Sequence, residues 1–138
     1  MAHNTFHVSL FVSDLERAVE QYRRIFGVEP AKIRPGYAKF ELTDPPAIIS
    51  LNLGGKPGTV SHLGIRYPGT GDVASELVRA KQNGFEPLQE KNVTCCYASA
   101  DKFWLRDPDG MAWEMYTMLA DAEPATAASP ELREFLGQ

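Results

Sequence analysis

The chain repeats itself, and that repetition most limits what it can fold into. GVEP at residues 27–30 returns as GFEP at 84–87, and FELTDP at 40–45 returns as FWLRDP at 103–108. Ahead of each glycine runs the same order of signals. Phe6 to Val12 (FHVSLFV) is a short β-branched and aromatic run ending at a turn signal, which reads as a strand. Ser13 and Glu16 have the spacing of a capping box. Leu15, Ala18, Val19, Tyr22 and Phe26 then recur at helical spacing before Gly27. Strand-like pieces follow at Tyr37 to Leu42 and Ala47 to Leu53, joined by an Asp44-Pro45-Pro46 turn. In the second half His62 opens a strand (HLGIRY) and Pro68 to Gly71 makes a turn. Asp72 starts a helix carrying Val73, Leu77 and Ala80 on its apolar face, and Asn83-Gly84 ends it. This double series predicts an α+β fold of two tandem βαβββ modules. They occupy about residues 4–55 and 58–119 of one domain, 1–120. An Ala-rich tail follows over 121–138, in which Pro130 to Leu136 has the pattern of one short helix capped by Ser129.

The copies differ in length. His7 and His62 lie 55 positions apart, Gly27 and Gly84 57, and Phe40 and Phe103 63, so the second copy carries six extra residues between GFEP and FWLRDP. NVTCCYA, residues 92–98, falls in that extension and holds both cysteines of the chain, Cys95 and Cys96. A segment lengthened in one copy only is expected to be an irregular loop. On a regular strand adjacent side chains point to opposite faces. A loop can turn two neighbouring thiols toward one atom.

A formal net charge of −4, with Arg23, Arg24, Lys32 and Arg34 spread out around Glu29, argues against a nucleic-acid partner. No apolar run approaches the roughly 20 residues that span a bilayer, so no membrane partner is expected. The start MAHNTFHVSL lacks the basic region and long apolar stretch of a secretory signal, which favours a cytoplasmic location. In that reducing compartment adjacent cysteines point to metal binding or catalysis more than to a structural disulfide. Two small core hydrophobes, or a strained vicinal disulfide in an oxidised sample, remain the alternatives.

His7 and His62 occupy matching positions near the start of each module's first strand. Aligning the FxLxDP motifs sets Leu51 against Glu114, so the duplicated positions yield two histidines, one carboxylate and one apolar residue. A glutamate inside MAWEMYTM would cost several kcal/mol if buried unpaired, so a cation partner is expected. Two imidazoles and a carboxylate with open positions are the donor set of non-haem Fe(II) chemistry, whereas a closed zinc site wants four protein ligands. The plainer reading of either histidine is a hydrogen-bonded strand residue. His3 has no counterpart in the second copy.

The doubled module, the strand-initial histidines and the ending RDPDGMAWEMY (Arg106 to Tyr116) resemble the vicinal oxygen chelate superfamily of glyoxalases and extradiol dioxygenases. That resemblance implies a curved mixed sheet around a metal site, with Asp107 to Gly110 as the last turn and Glu114 as a ligand. RPGYAKFE, DPPAIISLN, TCCYA and DKFW together resemble the narrower cadmium-induced protein family, which includes organoarsenical carbon–arsenic lyases. What this implies is a metal held by His7, His62 and Glu114, which would be the catalytic centre. The expected metal is Fe(II), though Ni, Co, Zn or Cd could also occupy the site, and dioxygen would be the co-substrate. It also implies a small trivalent organoarsenical held by Cys95 and Cys96. Soft thiolates suit such an element, and Lys91 and Lys102 flank the pair as candidate positive charges. Lys102 is a candidate thiolate or substrate contact. Tyr37, Phe103, Trp104 and Tyr116 are candidates for an apolar substrate wall, with core packing the commoner fate of such rings. Two other functions stay open: a non-catalytic cadmium- or arsenite-binding resistance protein, and another glyoxalase- or dioxygenase-type enzyme. The superfamily builds its metal cup within one chain or across a homodimer, and the repeat is compatible with both.

Overall fold

The structure, a computed structural model, describes residues 3–95 and 98–121, with side chains for 3–90 and 101–119. The chain divides into two compact units, residues 5–63 and a second that runs on from Gly64 and includes the N-terminal residues before Thr5. The division falls inside a strand.

The first unit holds β1 (Thr5–Phe11), α1 (Leu15–Phe26), β2 (Lys32–Arg34), β3 (Tyr37–Thr43), β4 (Pro46–Asn52) and the opening residues of β5 (Val60–Arg66). Its strands run in the order β2-β3-β4-β1. β1 pairs parallel with β4, and the β2–β3 and β3–β4 pairs are antiparallel. The amide of Phe11 donates to Thr59 O and that of Gly58 to Phe11 O. These bonds tie the approach to β5 to the end of β1, which is why His62 groups with the first unit.

Helix α1 starts one residue later than the capping-box reading. Asp14, not Ser13, is the N-cap, and its carboxylate accepts the Arg17 amide at 3.1 Å. Gly27 ends the helix at φ 71°, a left-handed position suited to glycine. Its apolar edge, Leu15, Ala18, Val19, Tyr22 and Phe26, packs on the fully buried Ala38, Phe40 and Leu51. Since strand side chains alternate, the residues facing α1 leave His7, Ser9, Tyr37, Lys39, Ile48, Ser50 and Asn52 on the opposite face.

The second unit continues β5 into α2 (Thr70–Gln82), β6 (Leu88–Cys95), β7 (Ala98–Arg106) and β8 (Ala112–Asp121). Here β7 lies between β6 and β8, antiparallel to both. Helix α2 begins at Thr70, two residues before the expected start, and the Asp72 carboxylate accepts the Gly69 amide at 3.1 Å. Tyr67, Val73, Ala80 and Phe103 form its buried core, with Ile65, Leu77, Leu105 and Met115 packed around them. The alternation again leaves Lys102, Trp104, Glu114 and Tyr116 on the face away from the helix.

Two sequence expectations change here. The extension expected as an irregular loop is, as far as Cys95, a lengthened hairpin: Val93, Thr94 and Cys95 pair with Ala100, Ser99 and Ala98. Strand pairing satisfies the backbone groups that a long loop would leave to solvent. A register shift between Glu90 and Val93 interrupts the hairpin's pairing, and β7 carries another between Ser99 and Ala100. Cys96 and Tyr97, and the tail with its expected helix at Pro130 to Leu136, lie outside the described residues.

The second correction concerns Leu51. Thr43 pairs with Pro46, but Arg106 pairs with Ala112, so the second hairpin has a turn three residues longer. With Phe40 set on Phe103, Ile49 therefore matches Met115 and Ile48 matches Glu114. The apolar counterpart of the glutamate is Ile48, fully buried and in register with His7. Leu51 belongs to the α1 core.

No helix among the described residues is long and apolar enough to cross a membrane.

Candidate metal and substrate site

In the first unit the two strand-initial histidines come together. Their ring centroids lie 5.7 Å apart in an edge-to-face arrangement. His7 is 7% exposed, and its Nε2 is hydrogen-bonded to Ser50 Oγ at 3.0 Å, from the neighbouring strand β4. His62 Nδ1 lies 3.2 Å from Ser61 Oγ. A hydroxyl on one ring nitrogen restrains the orientation of an imidazole, as outer partners do for metal ligands. On the same face Asn52 Nδ2 donates to Ser9 Oγ at 2.7 Å, and the buried Tyr37 stands opposite Asn52 in register.

In the second unit Glu114 has the cation partner that its apolar surroundings require. The ammonium of Lys102 donates to Glu114 Oε2 at 2.6 Å, and both residues are about 5% exposed (Lys102 5%, Glu114 6%). Such a pair is tolerated in the interior because each charge answers the other; removing one partner strands the other. The rings of Trp104 and Tyr116 lie 5.7 and 6.0 Å from the Lys102 nitrogen, within cation–π range. Across β6, Glu90 stands opposite Lys102 and accepts the Trp104 indole N–H at 3.0 Å.

The hairpin that delivers Glu114 is shaped by the expected turn. Asp107 Oδ1 accepts the amides of Asp109 and Met111, both at 2.9 Å, and Gly110 takes φ 89°. Gly64 matters for a different reason. A Cβ there would sit 2.6 Å from the Glu114 carbonyl oxygen, so only glycine allows β5 to pass this close to β8.

Other expected residues are redistributed. Phe103 is buried in the α2 cluster, on the opposite face of β7 from Lys102, so its ring packs the core on that side. Lys102, expected as a thiolate or substrate contact, is committed to Glu114. Tyr37, Trp104 and Tyr116 remain on faces turned away from the helices. The side chains of Cys95 and Cys96 lie outside the described residues. Among the described residues no three His, Cys, Asp or Glu side chains form a ready metal-holding cluster; the histidines stand as a pair, and the carboxylate is engaged by a lysine. As donors, two neighbouring imidazoles and a buried carboxylate nevertheless suit a divalent ion of intermediate softness.

This chain belongs to the Glyoxalase/Bleomycin resistance protein/Dioxygenase superfamily, which matches residues 5–115. Within that class its relatives are specific. It is 43% identical to the cadmium-induced protein CadI of Mycobacterium tuberculosis over 117 residues, 84% of this chain and 77% of the relative. It is 40% identical to the trivalent organoarsenical cleaving enzyme of Bacillus sp. (strain MD1) over 127 residues, 90% of this chain and 79% of that one. Among solved structures it shares the fold of the Mn(II)-bound glyoxalase of Novosphingobium aromaticivorans at TM-score 0.63. That match has 16% identity and covers 94% of this chain and 48% of the other. Homoprotocatechuate 2,3-dioxygenase of Arthrobacter globiformis matches at TM-score 0.63 and 17% identity, covering 85% of this chain and 36% of the other.

Proposed function

We infer that this protein is a metal-dependent carbon–arsenic lyase that converts trivalent organoarsenicals to arsenite. The observation that carries the reading is the pair of strand-initial imidazoles, one buried and one half-buried, 5.7 Å apart, in a chain 40% identical over most of its length to an organoarsenical cleaving enzyme. His7, His62 and Glu114 would hold the ion, and Fe(II) bound there would supply activation of dioxygen. Ser50 and Ser61 keep the two imidazole rings oriented.

The thiolates of Cys95 and Cys96 take the arsenic. Methylarsenous acid has two exchangeable hydroxyls, and two thiols displace both as two waters while the methyl group stays free. Holding the carbon–arsenic bond beside the metal ligands removes a large entropic part of the barrier. The faces bearing Tyr37, Trp104 and Tyr116 supply aromatic surface for an aryl substituent. The overall change is self-contained: methylarsenous acid and dioxygen together equal arsenous acid and formaldehyde, so no external reductant is required.

Arsenic speciation tests this reading. Anaerobic protein loaded with Fe(II) and methylarsenite should release arsenite only once oxygen is admitted, with one formaldehyde per arsenite. Oxygen-independent release, or none, overturns it. The name of the mycobacterial relative favours a second reading, sequestration of a soft ion by the cysteines. That reading requires cadmium or arsenite binding that survives Glu114→Ala and no arsenite release at all.

A further inference from the structure

Lys102 is placed to do more than balance a buried charge. Lys102 is 5% exposed, and its ammonium lies 2.6 Å from the carboxylate proposed above as a metal ligand. Any cation that takes Glu114 must therefore compete with one already there. A second carboxylate waits on the other side: Glu90 occupies the position directly across β6 from Lys102. Cross-strand partners of this kind have Cβ atoms about 4.5–5.5 Å apart, well within the reach of a lysine. The Trp104 and Tyr116 rings, 5.7 and 6.0 Å from the nitrogen, lie within cation–π range and can hold the ammonium as it moves. Glu90 itself is steadied by the Trp104 indole N–H at 3.0 Å.

We propose that Lys102 is an internal counter-ion that occupies Glu114 until a divalent metal arrives and then swings across its strand to Glu90. The inference rests on the assignment of Glu114 as a metal ligand. The lysine is a positioning residue: it keeps a buried carboxylate paired and in place before loading, at the cost of weakening metal affinity. Glu90 recovers part of that cost by receiving the displaced ammonium. No chemical bond is made or broken, since a cation on Glu114 is exchanged for another and the ammonium keeps its protons.

The two residues should then act with opposite sign, which a merely structural role would not produce. Co(II) affinity is measured on the full chain at pH 8.5, by titration of the ligand-field absorption against a competing chelator. Lys102→Met should bind Co(II) at least about tenfold more tightly than wild type, because no ammonium has to be displaced. Glu90→Gln keeps an acceptor for the indole but removes the second charge, and should bind several-fold more weakly. In the Lys102→Met background the Glu90→Gln effect should vanish, because the coupling runs through the lysine. If Lys102→Met does not fold, Lys102→Gln and the Glu90→Gln result carry the test. Unchanged or weaker binding in the lysine variants, or a Glu90 effect that persists without the lysine, overturns the inference while leaving the ligand assignment intact. A wild-type protein that binds no Co(II) removes the ligand assignment, and this inference with it.

Discussion

The two units are copies of one plan that have been put to different uses, and the difference lies at matched positions. In the first, the position equivalent to Glu114 is Ile48, fully buried beside His7. In the second, the carboxylate is kept by an ion pair that the first unit has no need of. The first unit's edge hairpin is short, with three residues in β2, whereas the second extends to eight in β6 and ends on a cysteine. Duplication supplies a scaffold twice, and under the proposed function the chemistry is concentrated by changing one copy: a carboxylate for an aliphatic residue, and a lengthened hairpin that carries thiols.

The largest test of this contrast pairs Glu114→Ala with Ile48→Ala. Stranding the Lys102 ammonium should cost about 3–5 kcal/mol, and emptying the Ile48 site about 2–5 kcal/mol, as read by chemical denaturation. The stability losses should be alike and the metal results opposite, with divalent binding lost from the first variant and kept in the second. Next is Gly64→Ala, whose added carbon meets the Glu114 backbone. Overpacking should cost about 1–3 kcal/mol, and metal affinity should fall with it. The matched Ser9→Ala loses only the hydroxyl that accepts from Asn52, worth about 1 kcal/mol.

Smaller effects separate the helices. Asp14→Ala removes a side-chain cap from α1 and should cost about 1 kcal/mol, whereas Gly69 at the start of α2 has no side chain to lose. Smallest is an alkaline effect confined to the second unit. Burial first, and then the Glu76 carboxylate, raise the Tyr67 phenol above its ordinary value of 10.0. The folded state therefore holds that proton more tightly than the unfolded chain. Its contribution is complete below pH 10 and is lost as pH climbs through the raised value. Tyr67→Phe should flatten that part of the stability–pH curve.

Much of this was legible in the residues because duplication exposes it. The order of strands and helices, the Gly27 stop and the matching of His7 with His62 follow from local patterns read twice, and the Asp107 to Gly110 turn from the resemblance to the superfamily. The errors arose where a pattern depends on partners. Motif alignment carried Leu51 onto Glu114 because it ignored the longer second turn, which only strand register reveals. The extension looked like a loop because its pairing with Ala98 to Ala100 is not written in either segment alone. In sequence Lys102 stands out for its nearness to the cysteines, yet a hairpin brings it to Glu114, 12 residues on. Gly64 gave no signal, since a close approach between strands leaves no mark on composition.

Two histidines, one from each copy, and a carboxylate present in the second copy alone are proposed to define one metal site per chain. The most direct test is metal stoichiometry in the wild type and in His7→Ala, His62→Ala and Glu114→Ala, measured anaerobically with Fe(II). One ion per wild-type chain and a large loss of affinity in each variant are expected. Undiminished binding in any of the three, or two ions per chain, would contradict it.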